Sequence, residues 1–177
     1  MSDVFDALQV LRDSDLLHDE AYRAALTGFA DGDADEDDKR RIAYILWSMD
    51  NGNTCNPSDA EFDGNSLSEG RIEYLVLTDD EANEAFAERV EDSLWAFNSD
   101  FLAGETGIDA RAFAALSEQC ESANDAVRSM IDGTCGFDAF VESAMSADGR
   151  GHLLSSYDGN EDEITVGGST FYFYRTN

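Results

Sequence analysis

The residues of this chain best suited to chemistry are few, and its carboxylates are many. Asp148-Gly-Arg-Gly-His152 leads into Leu153-Leu-Ser-Ser-Tyr-Asp-Gly159, which brings an imidazole within a few positions of two hydroxyls and an acid. His152 with Ser155, Ser156 or Asp158 could activate a nucleophile, because a serine needs a neighbouring base to take its proton. No Gly-x-Ser-x-Gly elbow accompanies them, and a strand over 153–157 would send adjacent side chains to opposite faces. Two Asp-Gly turns around a strand, with Arg150 and His152 in a structural hydrogen-bond network, account for the same residues. A small enzyme using the His152 region is therefore an alternative reading, and no catalytic residue is assigned.

Metal chemistry fares no better. Asp31, Asp33 and Asp35 alternate like the first ligands of a calcium loop, but the sixth position is Glu36, where the turn needs glycine. The twelfth is Ile42 and not a bidentate glutamate. For zinc, Cys55, Cys120, Cys135, His18 and His152 contain neither Cys-x-x-Cys nor His-x-x-x-His. Cys120 is expected on the apolar stripe of a helix as a small core residue. The odd cysteine count reads as reduced thiols of a cytoplasmic protein. Neither a phosphate loop nor a dinucleotide fingerprint occurs, so no metal and no cofactor are expected.

What remains is charge. The 177 residues hold 39 Asp and Glu against 11 Lys and Arg, a formal net charge of −28. Solubility of a small domain needs a magnitude of only about 2–8. Nucleic acid and anionic membrane surfaces are excluded as direct partners by like-charge repulsion. Carboxylates one helical turn apart, about 5.4 Å, can imitate DNA phosphates, which recur every roughly 3.4 Å along each strand. The candidate residues for such a surface are Asp31, Asp33, Asp35, Asp37 and Asp38 in the densest acidic run, and Glu84, Glu88, Glu91 and Asp92 on a later helix.

The elements that carry these residues follow from spacing. Short helices are predicted over 2–12, with Val4, Phe5, Leu8 and Leu11 on one side, and over 15–29. A third runs over 37–49, with Ile42, Ile45, Leu46 and Met49 inward. Residues 50–70 hold Asn, Gly, Ser and the single proline, Pro57, and read as a loop. Ile72–Leu77 is a short apolar run of strand type. Thr78 stands three residues before Glu81, a capping box that opens a helix. Phe86, Val90, Leu94, Phe97 and Phe101 continue at helical spacing, with the acids on the other side. Further helices are expected over 109–131 and 138–145, and a hairpin joins Ile164–Val166 to Thr170–Tyr174 across Gly167-Gly168. The fold class is α+β: a helical N-terminal segment (1–50), a linker (51–70), and an α+β body (71–177). In that body a small antiparallel sheet of three to four strands packs against about three helices.

Three stretches resemble a family of small acidic proteins of tailed bacteriophages: Tyr74-Leu-Val-Leu-Thr-Asp-Asp-Glu-Ala-Asn83, Leu94-Trp-Ala-Phe-Asn98, and Asp148-Gly-Arg-Gly-His152 with Ser155-Ser-Tyr-Asp-Gly159 and the ending Tyr174-Arg-Thr-Asn177. The likeness covers about residues 71–177 and carries no activity that transfers to a residue. It implies a phage or mobile-element origin, among whose small acidic proteins are inhibitors of host defence that mimic DNA. The expectation is thus a non-enzymatic inhibitor in the host cytoplasm, bound to a basic nucleic-acid-handling host protein of the restriction or CRISPR kind. A homodimer stays open. The alternative is a cytoplasmic protein of a salt-loving host, for which a single lysine beside ten arginines speaks.

Overall fold

Two-residue turns build the sheet. In the computed structural model, which describes residues 2–13, 19–51 and 60–177, five strands lie antiparallel in the order β1-β2-β3-β5-β4. They are β1 (Ala60–Asp63), β2 (Ser66–Glu69), β3 (Ile72–Thr78), β4 (Asp162–Val166) and β5 (Ser169–Arg175). The predicted β4–β5 hairpin is present, with Val166 opposite Ser169 and both Gly167 and Gly168 at positive φ, as a tight two-residue turn requires. A side chain at 167 would also strike the Phe29 ring, at 2.7 Å from its Cβ, so this position needs glycine twice over.

The described residues form the α+β class expected, with helices preceding the sheet. Three come first: α1 (Ser2–Asp13), α2 (Glu20–Asp31) and α3 (Glu36–Asp50). After β3 come α4 (Asp79–Asp92), α5 (Ser99–Thr106), α6 (Ala110–Ser117), α7 (Asn124–Asp132), α8 (Phe137–Asp148) and the single turn α9 (Gly151–Leu154). The Thr78–Glu81 capping box is formed: the Thr78 amide donates to Glu81 Oε2 at 2.7 Å, and the Glu81 amide to Thr78 Oγ1 at 3.4 Å.

The chain divides differently from the sequence expectation. One compact unit is Met1–Ala82 with Ser155–Asn177, the other Asn83–Leu154. The second unit is therefore an insertion in the chain between β3 and β4. In the first unit, Ala7, Leu11, Tyr22, Leu26, Ile42 and Ile45 of the helices share one buried core with Leu67, Val76 and Phe171 of the sheet. Trp47 stacks on Phe173 at 4.7 Å between ring centroids, meets Tyr74 edge-on at 5.0 Å, and donates its indole N–H to Asp162 at 3.1 Å. Helices 2–50 are thus one body with the sheet. Part of the expected linker is β1 and β2, short strands whose serines, acids and glycine hid the alternation.

Other expectations are corrected at helix ends. The helix predicted through Phe101 stops at Asp92, because Asn124 donates to the Asp92 carbonyl at 2.6 Å and accepts the Trp95 amide at 2.9 Å. Asn98 then starts α5 as an N-cap, accepting the amides of Asp100 and Phe101. The helix predicted over 109–131 is broken between α6 and α7 at Cys120, which has φ +53 and is exposed, not a core residue. The strand predicted over 153–157 is replaced at its start by α9. On α1, Leu11 is buried, but Phe5 and Leu8 are exposed; on α3, Met49 is exposed while Trp47 is buried. Leu17, His18, Cys55 and Pro57 lie outside the described residues.

Candidate functional site

The acidic run is exposed, and its basic neighbours are not. Gly32 closes α2 in a left-handed conformation and Asp35 caps α3, its side chain accepting the Asp38 amide at 2.9 Å. This places Glu36, Asp37 and Asp38 in the first turn of α3, at the positive end of its dipole. Asp31, Asp33, Asp35 and Asp37 are exposed and Asp38 is half-buried. Of Lys39-Arg40-Arg41, the one basic cluster in the sequence, only Arg40 reaches back to the run, 3.5 Å from Glu36 and 3.9 Å from Asp37. Arg40 is 3% exposed, donates to the Val76 carbonyl and forms a two-pronged pair with Glu81, both bonds at 3.0 Å. Arg41 lies over the Phe62 ring, and Lys39 is half-buried with its Cε beside Gly167. Glu36 and Asp37 are thus partly compensated by Arg40, whereas Asp31, Asp33 and Asp35 have no ion-pair partner among the described residues.

In the second unit, Glu84, Glu88, Glu91 and Asp92 are all exposed on α4. Glu84, Glu88 and Glu91 fall on one stripe by their three- and four-residue spacing. Glu91 pairs with Arg128, which also holds Asp132 at 3.1 Å, so one end of that row is partly compensated. The nine candidate carboxylates are thus shared between the two units, five and four, and acidity is not confined to either: residues 83–154 contain 14 acids and 4 bases.

The motif around His152 is divided between two structures. In the first unit, the Ser155 hydroxyl lies 2.7 Å from Asp158 Oδ1 and 3.0 Å from the Arg175 carbonyl, and Asp158 accepts the Asn160 amide. The bond from Ser155, helped by the Asn160 amide, holds the Asp158 carboxyl below the usual range. The Arg175 guanidinium sits 3.5 Å above the Tyr157 ring. The stretches Ser155–Gly159 and Tyr174–Asn177 therefore meet, and Ser155 is committed to a turn. The expectation that Arg150 is structural is met within the second unit: it is buried and donates to Asn83 at 3.1 Å.

His152 instead is exposed at a cleft of about 320 Å³ in the second unit. Phe86, Phe97, Ala144 and Leu153 supply apolar wall, and Asn98 and Asp148 line it with His152. Phe97 also packs with Phe101 and Phe140, the three rings lying 5.3–6.1 Å apart between centroids. Sequence reasoning named Phe97 only as helix core and gave Asn98 no site. Nothing in the local sequence joins Phe97 and Asn98 to Asp148 and His152, which stand about fifty residues later. Among the described residues, no group of three His, Cys, Asp or Glu side chains is arranged to hold a metal, and no helix is long and apolar enough to cross a membrane.

Comparison with family models, with curated proteins and with solved structures returns no significant match.

Proposed function

We propose that this protein is a non-enzymatic, phage-encoded acidic inhibitor that occupies the basic groove of a nucleic-acid-binding host protein, of the restriction or CRISPR type, in the host cytoplasm. The observation that carries this is the fate of the basic cluster. Lys39 and Arg41 turn onto Gly167 and Phe62, and Arg40 onto Glu81, Glu36 and Asp37, leaving Asp31, Asp33 and Asp35 exposed between α2 and α3 with no ion-pair partner among the described residues. A surface of this kind attracts a positively charged groove over a Debye length and competes with DNA for it. The stripe of Glu84, Glu88 and Glu91 offers a second such row. No nucleic acid is bound directly, and no catalytic residue, metal or cofactor is invoked.

Affinity capture by the tagged protein from bacterial lysate tests this, with washes at about 0.15 M and about 0.5 M salt. One nucleic-acid-binding protein held at the lower salt and shed at the higher supports mimicry and names the target. An empty or indiscriminate capture removes the proposal.

A second reading, adaptation to a saline host cytoplasm, is favoured by a different observation. The acids are distributed over both units, and Lys39 is the single lysine. Under that reading the charge keeps the protein hydrated in molar salt and has no partner.

A further inference from the structure

We infer that the cleft of the second unit binds a small organic amine with an aromatic or branched aliphatic body. At about 320 Å³ the cleft is at the lower end of the range for small-molecule sites, roughly 300–1,000 Å³. It suits a ligand of one ring or a short branched chain. Phe97, Ala144 and Leu153 provide apolar wall for that body.

The polar groups decide the chemistry of the other end. Asp148 lines the cleft, is exposed, and its carboxylate has no hydrogen-bond or ion-pair partner among the described residues. An ammonium group satisfies it, and a carboxylate or phosphate repels it. Asn98 Oδ1 is already taken by the amides of Asp100 and Phe101, at 2.8 and 3.4 Å. The Asn98 amide N–H groups are left to donate to a hydroxyl or carbonyl on the ligand. His152, also exposed at the cleft, can supply either a donor or an acceptor. The net charge of −28 adds a field that concentrates cations and repels anions.

The backbone around these groups is built for their placement. Gly149 has φ +74 and ψ 163, a conformation essentially confined to glycine, and its amide closes α8 on the Met145 carbonyl at 2.9 Å. Arg150 is buried on Asn83, and Gly151 is buried. Arg150 and Gly151 are thus spent on structure, while Asp148, Gly149 and His152 line the cleft.

Titration calorimetry on the full chain in about 0.5 M salt, to screen the general field, tests the inference. The probes are 2-phenylethylamine and the similarly sized anion 3-phenylpropionate. The amine is expected to bind saturably at one site, and the anion not at all. Asp148→Asn, at an exposed position, should weaken amine binding by about tenfold or more, the loss of one charge-assisted hydrogen bond. Ala96→Trp, an exposed lining position, should abolish binding while leaving the melting temperature unchanged. The inference is overturned by absence of saturable amine binding, by equal binding of the anion, or by Asp148→Asn binding the amine like the parent protein.

Discussion

Arg40 and Glu81 meet through two parallel N–H···O bonds of 3.0 Å, although 41 positions separate them in the chain. The same glutamate accepts the Thr78 amide at 2.7 Å. One carboxylate therefore caps α4 and anchors α3 to the end of β3. The guanidinium side chain is almost wholly buried while the carboxylate is about one-third exposed. Removing the acid leaves the buried cation only the more distant Glu36 and Asp37, at 3.5 and 3.9 Å, whereas removing the base frees an acid that water can still reach.

Glu81→Ala should accordingly destabilise the protein by about 1–3 kcal/mol, the scale for losing hydrogen bonds to a charged group while Glu36 and Asp37 still face the guanidinium. Urea denaturation monitored by tryptophan fluorescence in a Trp95→Phe background, where Trp47 alone reports, measures it. Arg40→Met should cost less, because the methionine keeps packing against Phe171 and the abandoned carboxylate stays partly hydrated.

Acid should loosen the same joint. Burial pushes the Glu81 carboxyl up, but the Arg40 and Thr78 bonds outweigh it and hold the group below its ordinary value of 4.5. A depressed folded value means that the stabilisation is full above the unfolded value and is lost as pH falls through the folded one. Stability of the native protein should therefore fall below about pH 4.5 more steeply than that of Glu81→Gln, measured as denaturation midpoints across the acid range.

Two glycines should respond in opposite directions to alanine. Gly149→Ala meets no atom within 4 Å, yet forces a side chain into a glycine conformation, and should cost about 1–3 kcal/mol. Gly104, inside α5 with open space around it and no positive φ, should gain about 0.4–1 kcal/mol as alanine. Thermal unfolding of the two variants decides both.

The charge can be tested in two ways. Reversal of Glu84, Glu88, Glu91 and Asp92 to lysine should weaken capture of a basic target by about a hundredfold while circular dichroism stays native. Unchanged capture would remove α4 from the interface. The melting temperature of the parent protein should rise with salt as self-repulsion is screened. A rise that levels off by about 0.5 M fits simple screening, since the Debye length is then already a few ångströms. A rise that continues through molar KCl favours the salt-adapted reading.

Where residue type and backbone need coincide, the sequence was legible. The capping box at Thr78 and Glu81, the Gly-Gly hairpin and the apolar stripe of Phe86 and Val90 each follow from local chemistry, and each is present. What was hidden depends on partners distant in the chain. Asn124 stops α4 from 32 positions away, and Arg40 looks like surface charge until Glu81 and Phe171 are placed around it. The chemistry-bearing residues at 148–158 looked like one motif because they are adjacent in sequence. The change from helix to turn after Leu154 gives Ser155 and Asp158 a structural role and leaves His152 and Asp148 to a cleft.

The bond between Asn83 and Arg150 also bears on how the chain folds. β3 and β5 are separated by the 90 residues from 79 to 168, which would make their pairing a distant and slow event. Once the inserted unit has formed, that bond ties its entry to its exit. The effective tether between the two strands then shrinks to about 24 residues, 79–83 and 150–168, lowering the entropic cost of closure by about 1 kcal/mol. The insertion thus turns a non-local strand pairing into a nearly local one. It follows that residues 83–150 could be exchanged for a short connector without unmaking the sheet.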